Sequence, residues 1–278
     1  MRLTREVLPL PLAIAPDLEI FAIGDIHGRS DLLAALLDAA SNEPRRTSRR
    51  QVLFTGDLID RGPDSLGALA LAAQADLRAG ADATVALMGN HEILMRLTLD
   101  AAVPPRRALN ALEIWVGNGG DAVIEELLGP SAPWSDARRL LRDLRSAASG
   151  APLDWLAALQ PNARSGDVLF VHAGVNPTFP LEAFLDVPWD EPLERLDEDM
   201  HWAWVRGPFL DHQPDERGHG GCFVVHGHTP LDRGHTHGHA EQVRRFRLNI
   251  DGGSAMTGQA KMAILRGGVA EVVTAQAL

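Results

Sequence analysis

Five short apolar runs in this chain each end in glycine together with aspartate, asparagine or histidine, and this pattern limits the possible folds more than any other. The clusters after the runs are GDIHG at 24–28, GDLIDRG at 56–62, GNHE at 89–92, HAG at 172–174 and HGHT at 226–229. Each run has the length of a buried strand, and the glycines let the backbone turn sharply after it. Helical patterns at 30–40 and 64–79 separate the first three runs. This order predicts an α/β sheet with right-handed crossovers.

The polar residues at the ends of these predicted strands are expected to meet. In an open α/β sheet the carboxyl ends of the strands line one crevice, where ligands bind. The side chains delivered there are carboxylates, an amide and imidazoles, which together suit divalent first-row metals such as Mn²⁺, Fe²⁺ or Zn²⁺. Six such side chains are too many for one catalytic ion with open positions, and they suit two ions about 3.5–4 Å apart that share a carboxylate. A buried or turn-forming polar residue would explain any one cluster, but not all five together.

The remaining segments add a helical block and further strands. Strand patterns return at 167–172, at 222–226, at 243–250 and in a hairpin over 260–274. Residues 91–160 are predicted to be mostly helical, and residues 207–240, rich in glycine, histidine and proline, are predicted to form a polar loop. Residues 1–18, with three prolines, are interpreted as a lead-in to the first strand rather than a signal peptide. We expect one domain over residues 1–278.

Composition and charge exclude several classes of protein. The 278 residues are 45% hydrophobic and 23% charged, which is ordinary globular composition and enough for a large core. The lone Cys222 cannot form an internal disulfide, and no stretch approaches the roughly 20 apolar residues of a membrane span, so a cytoplasmic location is expected. A net charge of −11 argues against sequence-tolerant nucleic-acid binding, although a few arginines could hold one small phosphorylated substrate.

Taken together, five blocks resemble the signature of the calcineurin-like metallophosphoesterase superfamily. They are GDIHG (24–28), GDLIDRGPDS (56–65), GNHE (89–92), VHAG (171–174) and HGHTP (226–230). Within that superfamily, the blocks resemble the bacterial and phage phosphoprotein-phosphatase branch. This branch includes serine/threonine protein phosphatases and the symmetrical diadenosine tetraphosphatases. The resemblance runs from about residue 19 to about residue 265, with order and spacing intact. It implies a four-layer α/β/β/α sandwich with two mixed sheets, in which the helical block at 91–160 forms one flank and part of the rim of the site.

The resemblance also implies a set of metal ligands. These are Asp25 and His27 for a first ion, Asp57 as the bridge, and Asn90, His172 and His228 for a second ion. Two divalent ions per chain are therefore expected, with manganese as the expected metal and iron or zinc as alternatives.

Five further residues match positions of the family that act on the substrate. His91 matches the general acid that protonates the leaving alkoxide, and Asp60 matches the carboxylate that orients that histidine. Arg61 matches a phosphate-binding arginine, and Arg206, in a W-x-R-x-P-F block, is the best match for a second one. Asn118 lies in a W-x-x-N-G-G block and is a candidate for contact with the phosphate or its arginine, with helix capping as an equal alternative.

Other polar and aromatic residues are given supporting roles. His226 is expected to support the site near His228, with metal binding as the alternative. The segment 249–253 is expected to support the site near His228 or to form a wall on the substrate side, without binding metal. The alternating histidines of 235–239 are predicted to lie in a polar loop near the mouth of the site, with metal binding as an alternative. Trp115 and the other tryptophans are expected to pack in the core.

These assignments imply a phosphoester hydrolase. A metal-bridging hydroxide would attack phosphorus in line, Arg61 and Arg206 would neutralise the phosphoryl oxygens, and His91 would protonate the leaving group. The expected substrate is phosphoserine or phosphothreonine in proteins, and diadenosine tetraphosphate or another nucleotide is the alternative. The expected partner is therefore a phosphorylated protein or a small phosphoester, with no nucleic acid and no membrane, and a monomer is favoured.

Two other classes of function remain as competing hypotheses. A metal-stabilised binding module without catalysis would be expected to lack His91, Asp60 or a metal ligand, and none of these is missing. A nuclease would need a basic groove, which the net charge of −11 disfavours.

Overall fold

Two β-sheets form the centre of the structure, a computed structural model that describes residues 1–148, 155–191, 193, 197–230 and 238–278. The strands are Arg2–Pro9 (β1), Leu18–Ile23 (β2), Arg49–Phe54 (β3), Ala83–Ala86 (β4), Asn162–Ser165 (β5), Val168–Val171 (β6), Phe223–His226 (β7), Arg247–Asn249 (β8), Gln259–Arg266 (β9) and Val269–Gln276 (β10). One sheet has the order β1, β10, β9, β2, β3, β4, and the other has the order β5, β6, β7, β8.

Both sheets are mixed. Strands β2, β3 and β4 are parallel to one another, whereas β9, β10 and β1 add antiparallel pairs. In the second sheet β6, β7 and β8 are parallel and β5 is antiparallel. The predicted α/β fold with two mixed sheets is therefore confirmed.

Helices cover the sheets and connect the parallel strands. They are Ser30–Ser41 (α1), Ser65–Ala72 (α2), Ala75–Ala79 (α3), Asn90–Leu99 (α4), Pro105–Trp115 (α5), Asp121–Leu128 (α6), Ala137–Ala147 (α7), Leu181–Leu185 (α8), Gly207–Leu210 (α9), His239–Arg244 (α10) and Ser254–Thr257 (α11). A π-helical turn, Val116–Gly120, joins α5 to α6. Among the described helices, none combines the length and the apolar character that crossing a membrane requires.

Alternate residues of the central strands enter two different apolar layers. In β2, Ile20 and Ala22 pack with Phe170 of the second sheet, so this layer fills the space between the sheets. Phe21 and Ile23 point the other way and pack against the helices. A strand buried on both faces reads as a continuous apolar run, which is why the sequence pattern located β2 so clearly.

The N-terminal segment differs from its prediction. The sequence suggested only a lead-in to the first strand, but Arg2–Pro9 forms β1 and pairs antiparallel with β10 along its whole length. Most of its side chains are exposed, with Leu8 the buried one. Because an edge strand with two exposed faces lacks an apolar pattern, its backbone pairing with β10 was not visible in the sequence.

Three other boundaries also differ. The predicted helix over 64–79 is two helices, α2 and α3. The predicted strand over 243–250 shrinks to β8, because helix α10 continues to Arg244 and Phe246 turns the chain with a φ of 53°. The predicted polar loop at 207–240 contains helix α9 as well as strand β7, and its residues 231–237 lie outside the described part of the chain.

Candidate metal centre and active site

The loops after β2 and β3, and the one after β7, carry several polar residues in an unusual backbone conformation. His27, Asp57, Asp60, Arg61 and His228 all have φ between 45° and 75°. Such left-handed conformations cost about 1–3 kcal/mol each for residues other than glycine and are held only by their surroundings. The Asp57 carbonyl accepts hydrogen bonds from the backbone nitrogens of Ile26 and His27, both at 2.9 Å, so the two loops hold each other. This concentration of strain marks the region as functional.

Asp57 lies at the centre of a cluster of buried histidines. Its Oδ2 is 3.3 Å from Nε2 of His172, 3.7 Å from Nε2 of His27 and 3.9 Å from Nε2 of His91. Burial alone would raise the pKa of Asp57, but the imidazoles around it, first of all His172, lower the pKa well below its usual range. The carboxylate is therefore held in its charged form with three ring nitrogens facing one oxygen.

The first group of metal-binding atoms surrounds His27. Its Nδ1 donates to the carbonyl of Ile59 at 2.9 Å, so its Nε2 carries the lone pair and faces Asp57. Burial lowers the pKa of His27 to about 3, which keeps the ring neutral. Asp25 is also fully buried; its Oδ2 accepts from the backbone nitrogen of His228 at 2.9 Å, while its Oδ1 has no hydrogen-bond partner within the described residues. A buried carboxylate oxygen without a donor fits a metal ligand.

The second group surrounds Asn90. His172 donates from Nδ1 to the carbonyl of Thr55 at 2.9 Å, and His228 donates from Nε2 to the carbonyl of Trp204 at 3.2 Å. In the neutral form of each ring the other nitrogen carries a lone pair. These nitrogens, Nε2 of His172 and Nδ1 of His228, lie 3.1 and 3.0 Å from Oδ1 of Asn90. Acceptor atoms that converge in this way need a cation between them, and backbone carbonyls that orient the rings are typical partners of metal-binding histidines.

The two groups share one carboxylate. Ligand atoms of His27, Asp57 and His91 lie within 4.8 Å of one another, and so do those of Asp57, His172 and His228. The donor set of imidazole, carboxylate and amide oxygen suits divalent first-row metals. The residues therefore fit two ions that share Asp57, and the donor set leaves the identity of the metal open.

Glycine allows the close approach that this arrangement requires. A Cβ atom on Gly227 would lie 1.9 Å from Oδ1 of Asp25, so any larger residue would displace the carboxylate. The glycine that precedes His228 is thus required by packing.

His91 forms a chain of contacts with Asp60 and Trp115. Its Nδ1 lies 2.6 Å from Oδ2 of Asp60, and the indole Nε1 of Trp115 donates to both oxygens of Asp60 at 3.0 and 2.8 Å. All three side chains are buried. Burial lowers the pKa of His91 to about 4 and raises the pKa of Asp60 well above its usual range. With Nδ1 bound to Asp60, only Nε2 of His91 faces the metal-binding cluster.

Arg61 lies between the two histidines of the first group. Its Nη1 donates to Nε2 of His27 at 2.9 Å and its Nη2 donates to Nε2 of His91 at 2.8 Å. Its Nε and backbone nitrogen donate to the carbonyls of Asn118 and Gly119, at 3.2 and 3.0 Å. A positive group therefore already satisfies the lone pairs of His27 and His91, and the π-helical turn Val116–Gly120 holds that group in place.

Arg206 and Asn118 occupy different positions relative to the cluster. Arg206 precedes α9 and pairs with Glu198 at 3.5 Å. Burial lowers the pKa of His228 well below its usual range, and the positive charge of Arg206 adds to this shift. The Arg206 side chain is 47% exposed. The Asn118 side chain instead donates to the carbonyl of Ile114 at 2.8 Å, within its own helix. The structure therefore connects Asn118 to Arg61 through its backbone carbonyl, and a substrate contact of its amide stays a prediction.

Sequence reasoning missed two residues that organise the site. Glu92 accepts from the backbone nitrogens of Asp57, Leu58 and Gly89 at 2.8 to 2.9 Å, and burial raises its pKa to about 7. Its position three residues after Gly89, at the start of a helix, is a capping-box pattern that could have revealed this role. Trp115 was assigned to core packing, and no sequence signal indicates that its indole reaches Asp60.

Other histidines of the described residues contact groups outside the cluster. His226 packs edge-on against Phe209 with ring centroids 4.9 Å apart. His239 lies 2.7 Å from the carboxylate of Glu6 on β1, so it contacts the edge strand. His235 and His237 lie outside the described residues, so metal binding by this segment stays a prediction. Asn249 donates to the carbonyl of Thr229 at 2.6 Å, next to His228, as expected for a supporting residue.

Comparison with known proteins places these residues in a wider context. The model of the calcineurin-like phosphoesterase family matches residues 18–256. Serine/threonine-protein phosphatase 1 of Salmonella typhimurium is 37% identical over 102 residues, which are 37% of this chain and 39% of that protein. A symmetrical bis(5'-nucleosyl)-tetraphosphatase of Paracidovorax citrulli is 33% identical over 172 residues, which are 60% of this chain and 48% of that protein. The chain thus spans less than half the length of these relatives.

Solved structures share the fold at lower identity. A cold-active protein tyrosine phosphatase superposes with a TM-score of 0.55 at 20% identity, over 91% of this chain and 76% of that one. A protein serine/threonine phosphatase of Saccharomyces cerevisiae superposes with a TM-score of 0.53 at 13% identity, over 95% and 81% of the two chains. At these identities the similarity concerns the fold.

Proposed function

The chain belongs to the calcineurin-like phosphoesterase family, and from this membership we propose that it is a metal-dependent phosphoester hydrolase. The observation that carries the proposal is the carboxylate of Asp57, which two groups of ligand atoms share, with the His91–Asp60 pair beside it. A purely structural metal site would not need an additional imidazole, bound to a carboxylate as His91 is to Asp60, beside the ligand atoms.

Two divalent ions bound at these residues would polarise the phosphoryl oxygens and lower the pKa of a bound water. The residues that would hold them are Asp25, His27, Asp57, Asn90, His172 and His228. An ion on Nε2 of His27 would compete with Nη1 of Arg61 for the same lone pair. We propose that the guanidinium then turns to the phosphoryl oxygens, and that the exposed end of Arg206 adds a second positive charge.

His91 is proposed as the general acid because of its geometry. Nδ1 is bound to Asp60, so a proton can leave only from Nε2, which faces the cluster. Burial lowers the pKa of the ring to about 4, and the negative charge of Asp57 opposes this shift. A phosphate anion beside Nε2 would act in the same direction as Asp57 and favour the protonated ring. Asp60, held by Trp115, keeps the ring aimed at the leaving oxygen.

For the substrate we propose phosphoserine or phosphothreonine in proteins. The support is the similarity to a serine/threonine-protein phosphatase, at 37% identity over 102 residues. We further propose manganese as the native metal, a monomeric state and a cytoplasmic location. Metal analysis of the purified chain, light scattering and cell fractionation test these three points separately.

Symmetrical dinucleoside tetraphosphates are the second candidate. The support is the longer alignment with a tetraphosphatase, over 172 residues. The W-x-x-N-G-G block, which occurs in that group, contacts Arg61 and Asp60 in this chain, so it serves the chemistry that both substrates share.

A side-by-side assay decides between the two substrates. The metal-stripped protein is reloaded with Mn²⁺ and given a phosphoserine peptide and diadenosine tetraphosphate in separate reactions. We expect kcat/KM to be about 10-fold or more higher on the peptide, because discrimination by differential binding commonly reaches that size. The reverse ratio would assign the chain to nucleotide hydrolysis. Absence of turnover on both substrates, with two ions bound, would favour a binding module.

Replacement of Trp115 by phenylalanine tests the support of the acid. The ring volume is largely kept, but Asp60 loses its indole donor, and a hydrogen bond to a charged group contributes about 1.5–3 kcal/mol. We expect kcat on an alkyl phosphate to fall about 10-fold, and by less on p-nitrophenyl phosphate, whose leaving group needs little protonation. Trp134→Phe, at an indole that is 42% exposed, is the matched control. An equal loss on both substrates would mean that Trp115 acts only through stability.

A further inference from the structure

A groove of about 560 Å³ lies between helices α5 and α7, away from the metal centre. Its floor is apolar and its rim is basic. The floor contains Leu109 and Leu141, and the rim contains Arg106, Arg138, Arg142 and Arg145. In a chain with a net charge of −11, four guanidinium groups around one groove are a local reversal of charge.

Helical spacing explains why the rim is basic on one side. Arg138, Arg142 and Arg145 are separated by four and three residues on α7, so they share one face of the helix, with Leu141 beside them. Leu140 and Leu144 are buried on the opposite side. The helix thus presents arginine to the groove and leucine to the core.

Most of this positive charge is not neutralised by the described part of the chain. Arg145 donates to the carbonyls of Thr98, Asp100 and Val103 and so has backbone partners. For Arg106, Arg138 and Arg142, residues 1–148, 155–191, 193, 197–230 and 238–278 provide neither an ion pair nor a hydrogen bond.

Several arginines elsewhere on the surface are paired with carboxylates. Arg5 lies 2.6 Å from Glu43, Arg29 lies 2.7 Å from Asp31, and Arg164 lies 2.7 Å from Glu182. The groove differs from these places because three unpaired guanidinium groups of the described residues line one apolar floor.

We propose that this groove docks an acidic, partly apolar segment of a phosphoprotein substrate, an inference that rests on the proposed protein-phosphatase function. The leucine floor accommodates aliphatic side chains, which a polyphosphate chain lacks. Arg138 and Arg142 are four residues apart on α7, or about 6 Å along the helix axis. Carboxylates two residues apart on an extended peptide point to the same side and lie about 6.6 Å apart, which is close to that distance.

Helix α5 connects the groove to the catalytic residues. Arg106 lies at its first turn and Trp115, which contacts Asp60, lies at its last residue. They are nine positions apart, which corresponds to about 13.5 Å along the helix axis. A bound peptide therefore needs at least about four extended residues between its phosphoserine and its acidic segment.

The test compares two phosphoserine peptides on the metal-loaded protein. One carries an extension of leucine, aspartate and glutamate that begins five residues from the phosphoserine, on either side, and the other carries a neutral extension. We expect the acidic extension to lower KM about 3- to 10-fold at low salt, as two or three exposed ion pairs would. The difference should shrink in 0.5 M NaCl because salt screens exposed charges.

Two double variants locate the effect. R138Q/R142Q should remove the preference for the acidic peptide, whereas R139Q/R217Q, with the same change of charge outside the groove, should keep it. Arg139 pairs with Asp143 on the same helix and Arg217 pairs with Asp215. Turnover of p-nitrophenyl phosphate should stay within 2-fold in both variants, because none of these residues touches the metal centre.

The outcomes separate this inference from the proposed function. Equal KM for the two peptides, or a preference that survives in R138Q/R142Q, would overturn the docking groove. If neither peptide is hydrolysed while p-nitrophenyl phosphate is, the protein-phosphatase proposal fails. Fluorescence anisotropy of the unphosphorylated acidic peptide then decides whether the groove docks such a peptide. Binding that R138Q/R142Q abolishes would support docking. Absence of binding, or arginine-dependent binding to phosphatidylserine vesicles alone, would overturn it.

Discussion

Replacement of Asp57 by asparagine is expected to remove at least one of the two metal ions and nearly all activity. Asp57 is the carboxylate that both ligand groups share, and the surrounding imidazoles hold its pKa well below its usual range, so its negative charge is present at neutral pH. An amide would keep the acceptor that the His91 backbone nitrogen uses at 3.2 Å, but it would lose the charge between the ions. We expect kcat to fall about 10³-fold or more, since two-ion catalysis contributes several kcal/mol.

Metal content and stability give the control for this variant. Elemental analysis should show fewer than two ions per chain in Asp57→Asn and two in Asp31→Asn, where the carboxylate is exposed and pairs with Arg29. Circular dichroism should show that both variants are folded. Full retention of two ions in Asp57→Asn would contradict the shared-ligand assignment.

Replacement of His91 by asparagine is expected to have the second-largest effect. A positioned general acid contributes about 10²–10⁴-fold, and Nε2 of His91 is the nitrogen of that ring that faces the cluster. We expect kcat on an alkyl phosphate to fall by this amount. The loss on p-nitrophenyl phosphate should be much smaller, because nitrophenolate leaves without protonation.

The geometry offers one competing role for His91, and metal analysis tests it. His91 lies with His27 and Asp57 in the first group of possible ligand atoms. If His91 were a ligand, the asparagine variant would lose an ion and would lose activity equally on both substrates. Two ions retained, together with unequal losses, would support the acid.

The central elements of the fold could be predicted because their signal is local. The apolar runs of β2, β3 and β6 are buried on both faces, and the glycines after them mark where each strand ends. The hairpin of β9 and β10 follows from its turn at Gly267 and Gly268. Strand β1 could not be predicted in this way, because its side chains are exposed and its partner β10 is more than 260 residues away.

The candidate site shows the same division. Residue types and their place after strands led to the set of expected ligands around Asp57, because metal chemistry restricts which side chains are useful. The role of Asn118 was less accessible, since its amide bonds within its own helix and only its backbone carbonyl meets Arg61. Glu92 carries a local capping-box pattern, but its bonds to the backbone of Asp57 and Leu58 join distant parts of the chain, and no local pattern reports the bond from Trp115 to Asp60.

By itself the sequence determined the kinds of atoms available to the site, the order of the central strands and their connecting helices, and the family. Only the tertiary structure decided which nitrogen of each histidine is free to bind a metal, because that depends on which carbonyl the other nitrogen reaches, such as Ile59 for His27 and Thr55 for His172. It also placed the indole of Trp115 on Asp60 and three arginines around a leucine floor. Such contacts join residues far apart in the chain, and they depend on distances that folding creates and that spacing along the sequence does not encode.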